Sequence, residues 1–425
     1  MTQPGSTDQP LAHLRAVVFT QAVAGAFTTK LLADMGAEVI QIESLTRPDP
    51  IRGGFPPQLS GTYPDNLPGD RPYNRNANFN SLNTNKLGIT LDLGHQEAKE
   101  IFLDLVRISD IVAENFAPRV MPNFGLDYES LRQVNPSVIM LRMPAFGCYG
   151  PYSQYMGNGG TTEPMSGISS LLGYDGGPPI NSGVMHTDPV AGMFGFASLL
   201  IAIHHRNRTG EGQIIDLSQQ ETSIHLISGQ VMEFGMTGET PSRQGNRDRN
   251  MAPHGNFPCQ GDDSWIAIAV RSNEEWRRLG AIIGDDDLAA DPRFADLAGR
   301  LEHVEELERI VAHWTRDKEA ESITTRLQEE GIPSAPVLKT REVFKNPQLD
   351  ARGFFESVDH PETGAFLHLG APWRLSGIPA RTRTPAPGIG QHSVQVLSNL
   401  LGIPMGEIDD LVNKGITGDT PNLDG

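Results

Sequence analysis

A chain of 425 residues, 38% hydrophobic and 20% charged, has enough apolar side chains for a full core and enough length for two or three domains. Its formal net charge of −18 argues against nucleic acid or an anionic membrane as the main partner, because both are held by clustered cations; an anionic small molecule in a local basic pocket stays allowed. Two cysteines, Cys148 and Cys259, are too few for a disulfide framework or a cysteine metal site.

The opening MTQPGSTDQP is polar and lacks the basic-then-apolar order of a signal peptide. Ala16 to Phe19 reads as a short apolar strand, Ala24 to Asp34 as a helix stopped by Gly36, and EVIQI (38–42) as a second strand. Strand, helix, strand with short joints is a βαβ unit and implies a parallel sheet. Arg52 to Asn76 interrupts the rhythm with prolines, glycines and aromatics, and stands equally as an ordered lid or as a surface insertion. The units resume with ITLDL (89–93) and a helix from Gln96, then DIVAEN (110–115) with a helix near Tyr128, and VIMLRM (138–143). The longest apolar run, Pro189 to Ile203, is short against ~30 Å of hydrocarbon, so a soluble, cytoplasmic protein without a membrane partner is expected. A strand, QIIDLS, leads into a further helix near 225.

The expected class is α/β: a doubly wound, Rossmann-like large domain over 1–225, a linker at 226–245, a small α+β domain at 246–350, and a tail at 351–425 that returns to the large domain. In the small domain WIAIAV (265–270) reads as a strand, and LEHVEELERIVAHWTR and ESITTRLQEEG as amphipathic helices. The tail is expected to be helical from Ser393 to Leu401.

Several chemistries lose ground. The first βα turn, QAVAGAF, lacks G-x-G-x-x-G, and no G-x-x-x-x-G-K-[ST], H-E-x-x-H or G-x-S-x-G is present. What stands out is Asp188, alone between a Gly/Pro-rich stretch and the apolar run. Two readings compete on local grounds. Asp before Pro189 is a favoured helix cap with proline at the first helical position. The same geometry suits a nucleophile, since a helix N-terminus keeps a carboxylate ionised and offers N–H groups to an oxyanion.

The chain as a whole resembles the class III (CaiB/BaiF-type) CoA-transferases. The resemblance lies in AGAFTTKLLADMGAEVIQIES (24–44), LNTNKLGITLDL (82–93), ENFAPRVMPNFGLDYESL (114–131), FGCYGPY (146–152), DGGPP…HTDPVAG (175–192) and RTGEGQIIDLS (208–218). It continues through DPRF (291–294), EEGIPSAPV (329–337), NPQLDARGFF (346–355) and APGIGQHS (386–393), in order along nearly the whole chain. It implies Asp188 as the nucleophile that attacks an acyl-CoA thioester, gives a mixed anhydride and then an aspartyl-CoA thioester, and passes CoA to an incoming carboxylate. Because one thioester is traded for another, neither ATP nor a metal is required, and no tightly bound cofactor is expected; CoA and acyl-CoA act as substrates. The resemblance also implies a dimer of interlocked rings.

Family-like CoA contacts fall on Gln21, Val23 and Ala24, on Lys86 as a phosphate contact, and on Asn115 and Phe116. Phe116 and Phe146 stand as adenine-stacking or pantetheine-lining rings, or as plain core; Arg119, where relatives have glycine, stands as an added phosphate contact or an idle surface group. His186 is expected on the same side as Asp188 if the segment is extended, to orient the nucleophile or a substrate carboxylate. Asn158 occupies the place of the histidine in the α-methylacyl-CoA racemases, and an amide takes no proton, which disfavours that rival. Glu163 stands where many transferases carry glutamine, as a substrate-facing group or a helix-surface acid. A CoA-binding subunit of a heteromer is the rival of another class. The segment 246–261 lacks the polyglycine loop of the formyl/oxalyl branch. Arg47, Arg52, Arg71 and Arg75 cluster in sequence around the long loop, and some of them are expected to hold the second carboxylate of a succinyl-type donor. Benzylsuccinate-, carnitine- and mesaconate-type acceptors remain open.

Overall fold

The computed structural model describes residues 9–54, 56–57, 61–284, 286–378 and 381–422. The first eight residues, which carry most of the segment read for a signal peptide, lie outside this set, as do Phe55 and residues 58–60 of the long loop. Two compact units form. The larger takes the chain up to Ile168, Asn181–Met232 and Asp350 onward; the smaller takes Ser169–Ile180 and Glu233–Leu349.

The larger unit is built on six parallel strands: β1 (Arg15–Phe19), β2 (Glu38–Glu43), β3 (Lys86–Thr90), β4 (Ile111–Glu114), β5 (Ile139–Arg142) and β6 (Ile214–Asp216), in the order β3-β2-β1-β4-β5-β6. The chain winds outward from β1 in one direction, then from β4 in the other, so the crevice for a ligand lies beyond the C-terminal ends of β1 and β4. Both faces of the sheet are covered, which is why its central strands read as unbroken apolar runs. Alternation in β1 divides the core: Val17 and Phe19 face one layer, Ala16 and Val18 the other.

Helix α1 (Ala24–Asp34) follows β1. Helix α2 (Gln96–Arg107) buries Ala98, Ile101, Phe102, Leu105 and Val106, the stripe expected of one face of a helix, in the same layer as Val17 and Phe19. Tail helices Ser393–Asn399 and Met405–Asn413 complete that layer through Val396, Leu397, Ile408 and Leu411. Backbone bonds between His392 and Gly88, and between Asp92 and Ile416, fasten the tail to β3. Helix α3 (Gly159–Met165) is short, and α4 (Thr187–Thr209) is the long helix of the opposite layer, burying Ala191, Leu199, Ala202 and Ile203 with Ala24, Leu32 and Ala33 of α1.

Several elements differ from the sequence reading. β3 starts at Lys86 and ends at Thr90, because its ladder follows β2. The segment read as a linker contains a helix, Ser228–Thr237. The tail adds a hairpin, β10 (Phe355–His360) with β11 (Gly364–Leu369). Helix α4 runs past the apolar stretch, so that by length and composition it is the one helix among the described residues able to span a membrane; its inner face is packed into the core.

The smaller unit holds an antiparallel sheet, β7 (His254–Pro258), β8 (Trp265–Ala269) and β9 (Ser334–Pro336), in sequence order. Helices Asn273–Ile283, Val304–Thr315 and Ala320–Glu329 cover it around buried Trp276, Phe294 and Leu307.

Candidate active site

At the end of β1 the chain turns sharply through Ala22, whose φ of 54° is a left-handed conformation uncommon for alanine. Two side chains hold it there. Asn115, at the end of β4, accepts from the Gln21 N–H and donates to the Gln21 carbonyl, both at 2.8 Å. Asp49 accepts from the Ala22 N–H at 3.0 Å. Glycine is required at position 25, since a Cβ there would lie 2.8 Å from Asn115 Oδ1. Asn115 thus braces the turn with the amide that the resemblance assigned to CoA. The end of β4 is itself braced: Arg142 donates to Glu114, and Glu114 accepts from the Phe116 N–H.

Asp188 comes to the same edge through helix packing. Gly192 of α4 meets the Ala24 carbonyl, and Gly195 meets Thr28 Oγ1, where a Cβ would stand 3.0 Å and 2.7 Å away respectively. The helices therefore run parallel and close. Asp188 lies one turn before Gly192, which packs on Ala24 at the start of α1.

The helix begins two residues earlier than the sequence suggested. His186 is the cap and Thr187 the first helical residue, so Asp188 sits in the first turn and is not the cap; no side chain caps this end. His186 has helical φ and ψ of −61° and −18°, not an extended conformation, so its side chain and that of Asp188 point to nearly opposite sides. The same-side expectation for His186 is corrected on that ground.

The Asp188 carboxylate is buried, and Oδ1 has no hydrogen-bond partner. Burial raises its pKa from 3.8 to about 6. Gly159, first residue of α3, lies against it: a Cβ there would be 2.5 Å from Oδ1. The preceding Asn158 is exposed and opens α3, its carbonyl accepting from the Thr161 and Thr162 N–H groups. One turn along the same helix, Glu163 is buried, which corrects its reading as a surface acid. It accepts from the Ser182 N–H (2.6 Å) and the Ser182 hydroxyl (2.7 Å), and Ser182 Oγ lies 2.9 Å from His186 Nδ1. Met185, between them, has a φ of 48°. A desolvated carboxylate with an unpartnered oxygen, backed by glycine, is of the kind that can attack an acyl carbon.

Other expected residues lie elsewhere. Phe116 is half-buried in the main core, its ring 6.2 Å from that of Phe19. Phe146 is half-buried, edge-on to Tyr155 at 6.5 Å, under the loop that leads to α3. Arg119 is exposed. Lys86 is buried behind α1, where Nζ donates to the Ala26 carbonyl and Asn83 Oδ1 and burial lowers its pKa to about 7. A lysine enclosed and occupied in that way does not face a phosphate. Arg52 is buried too, paired through Nε and Nη2 with Glu43, bonded through Nη1 to the Tyr73 carbonyl, and stacked 3.5 Å over Phe79. Arg71 pairs with Glu362 and Asp419, Arg75 donates to the Glu362 carbonyl, and Arg47 is exposed. The arginine clamp is therefore not assembled: charges close in sequence are used to pin the loop. Ser182, Gly159 and Asp49 escaped the sequence reading, since none belongs to a motif and each acts through contacts far along the chain.

The fold is a doubly wound α/β sheet, and the braced turn lies at the β1/β4 edge, where folds of this class carry their ligand crevice. A sequence model of CoA-transferase family III matches residues 11–393, and the chain belongs to that family. It is 32% identical over 408 residues to the succinyl-CoA–D-citramalate CoA-transferase of Chloroflexus aurantiacus, spanning 96% of this chain and 98% of that one. Over 400 residues it is 31% identical to the succinate–glutarate CoA-transferase of Agrobacterium fabrum, spanning 94% and 98%. The crystal structure of a CaiB/BaiF family protein from Brucella suis superimposes with a TM-score of 0.83 at 29% identity, covering 92% of this chain and 100% of that one. The protein is a CoA-transferase.

Proposed function

We propose that the enzyme moves CoA from a dicarboxylic acyl-CoA, with succinyl-CoA as the expected donor, to a carboxylic acid acceptor by covalent catalysis on Asp188. The observation that carries this is the buried carboxylate with one oxygen free of partners. The carboxylate attacks the thioester carbonyl and expels CoA thiolate, leaving a mixed anhydride. The thiolate then attacks the aspartyl carbonyl, releasing the donor acid and forming the aspartyl-CoA thioester. The acceptor carboxylate attacks that thioester, and the thiolate returns to the acceptor's carbonyl, freeing Asp188. Each step exchanges one leaving group for one nucleophile, so the protein's work is positioning and the exclusion of water from the anhydrides. Support for the donor comes from the named activities of the two relatives; the arginine pattern no longer contributes. A homodimer is part of this reading. It is supported by the resemblance and by the outward faces of α4 and of helix Ser228–Thr237, where Phe194, Ile201 and Met232 are exposed at 40%, 70% and 63%.

The test is trapping. Incubation with succinyl-CoA and then hydroxylamine should leave a hydroxamate on Asp188, seen by peptide mass spectrometry. Asp188→Asn should lose turnover by at least about 10³-fold, as for other covalent nucleophiles, while CoA still binds. Transfer at the wild-type rate by that variant would end the proposal.

A further inference from the structure

The bonds around Glu163 have a direction. Both carboxylate oxygens are acceptors, and the Ser182 hydroxyl gives its one proton to Oε2 at 2.7 Å. Its oxygen, 2.9 Å from His186 Nδ1, can then only accept, so that nitrogen carries a proton; Nδ1 also lies 3.4 Å from Glu163 Oε2. The chain of donors runs from His186 to Ser182 to Glu163. It spans the left-handed residue Met185, immediately before the helix that carries Asp188. Gly159 and Glu163 are four residues apart and share a face of α3. That face presses glycine against the Asp188 carboxylate at one end and grips the approach to Asp188 at the other.

We propose that Glu163, Ser182 and His186 are positioning residues: a one-way hydrogen-bonded strut that fixes His186 in its Nδ1–H form and holds the first turn of α4, and with it Asp188, against Gly159. The inference rests on Asp188 as the reacting group, but it concerns residues that do not touch the acyl group. Without the strut, the turn at Met185 relaxes and the carboxylate leaves its attack position, a displacement that costs rate and not binding.

Three measurements test it. In full-length enzyme with ¹⁵N-histidine, His186 (assigned with a His186→Asn variant) should show the Nδ1–H tautomer. Glu163→Gln, whose amide donates to Ser182 Oγ, should turn the serine proton toward the ring and move the histidine proton to Nε2. Ser182→Ala should lower kcat by about 10- to 100-fold with KM for acyl-CoA within about two-fold and an unchanged melting temperature, and Ser182→Thr should restore kcat. A wild-type Nε2–H tautomer, an unaltered kcat in Ser182→Ala, or a kcat loss matched by a loss of folding would overturn the strut. Failure to trap wild-type Asp188 would strike the nucleophile instead, leaving the tautomer result to stand alone.

Discussion

Asp188 is a costly residue to bury. Its folded pKa of about 6 lies above the unfolded value of 3.8, so the folded state binds the proton more tightly. The stability it contributes is complete below about pH 4 and is lost as pH rises through 6. Asp188→Asn should therefore be more stable than wild type at pH 7, by about 1–3 kcal/mol, with the difference closing near pH 4 in denaturant titrations. If Asp188 is the nucleophile as proposed, activity should show the opposite dependence, with kcat/KM falling below about pH 6 as its carboxylate protonates. Arg52 poses a separate question, because removing one partner of a buried ion pair leaves the other charge stranded. Arg52→Ala should cost about 3–5 kcal/mol in chemical denaturation and should not selectively raise KM for a dicarboxylic donor. Asp188 stood out in the sequence because an acid between a Gly/Pro-rich stretch and an apolar run marks a helix start, although the structure puts the cap at His186. Ser182 did not, since a serine in a Gly/Pro-rich stretch carries no signal until Glu163 is placed beside it.

At the scale of elements, the site depends on how closely helices approach. α1 and α4 touch through Ala24, Thr28, Gly192 and Gly195, and a Cβ at Gly195 would meet Thr28 Oγ1 at 2.7 Å. Gly195→Ala should push the helices apart, costing about 1–3 kcal/mol and lowering kcat, since Asp188 moves with α4 relative to the β1 turn. Gly159→Ala acts locally: its Cβ would clash with the Asp188 carboxylate, the proposed nucleophile, so turnover should drop with the melting temperature within a few degrees of wild type. Strands β1 and β2 and helix α1 follow from the apolar runs and from Gly36, whose φ of 104° ends the helix turn. The start of α4 was less legible. A proline at position 189 fits equally at the first or third helical position, both of which lack an N–H acceptor inside the helix.

For the whole molecule, the exposed apolar side chains of α4 and of helix Ser228–Thr237 give the proposed dimer a measurable consequence. Sedimentation at micromolar concentration should show twice the chain mass, and Ile201→Glu should shift it toward monomer; a wild-type monomer would remove the homodimer from the proposal. Donor choice belongs at this scale as well. Succinyl-CoA should exceed acetyl-CoA in kcat/KM by at least about tenfold if a second carboxylate is recognised. By itself the sequence pointed to parallel βαβ units and to a carboxylate near a helix start within a family-like chain; the strand order came from the structure. The units and the helix start are set by periodicity and local turn chemistry, which act over a few residues. Tertiary structure alone decided which charges are free. Lys86 and Arg52 looked like ligands for anions, and the fold encloses them with Asn83 and Glu43; Glu163 looked like a surface acid, and the fold makes it the anchor of Ser182. Desolvation and pairing depend on neighbours distant in the chain, and no local pattern encodes them.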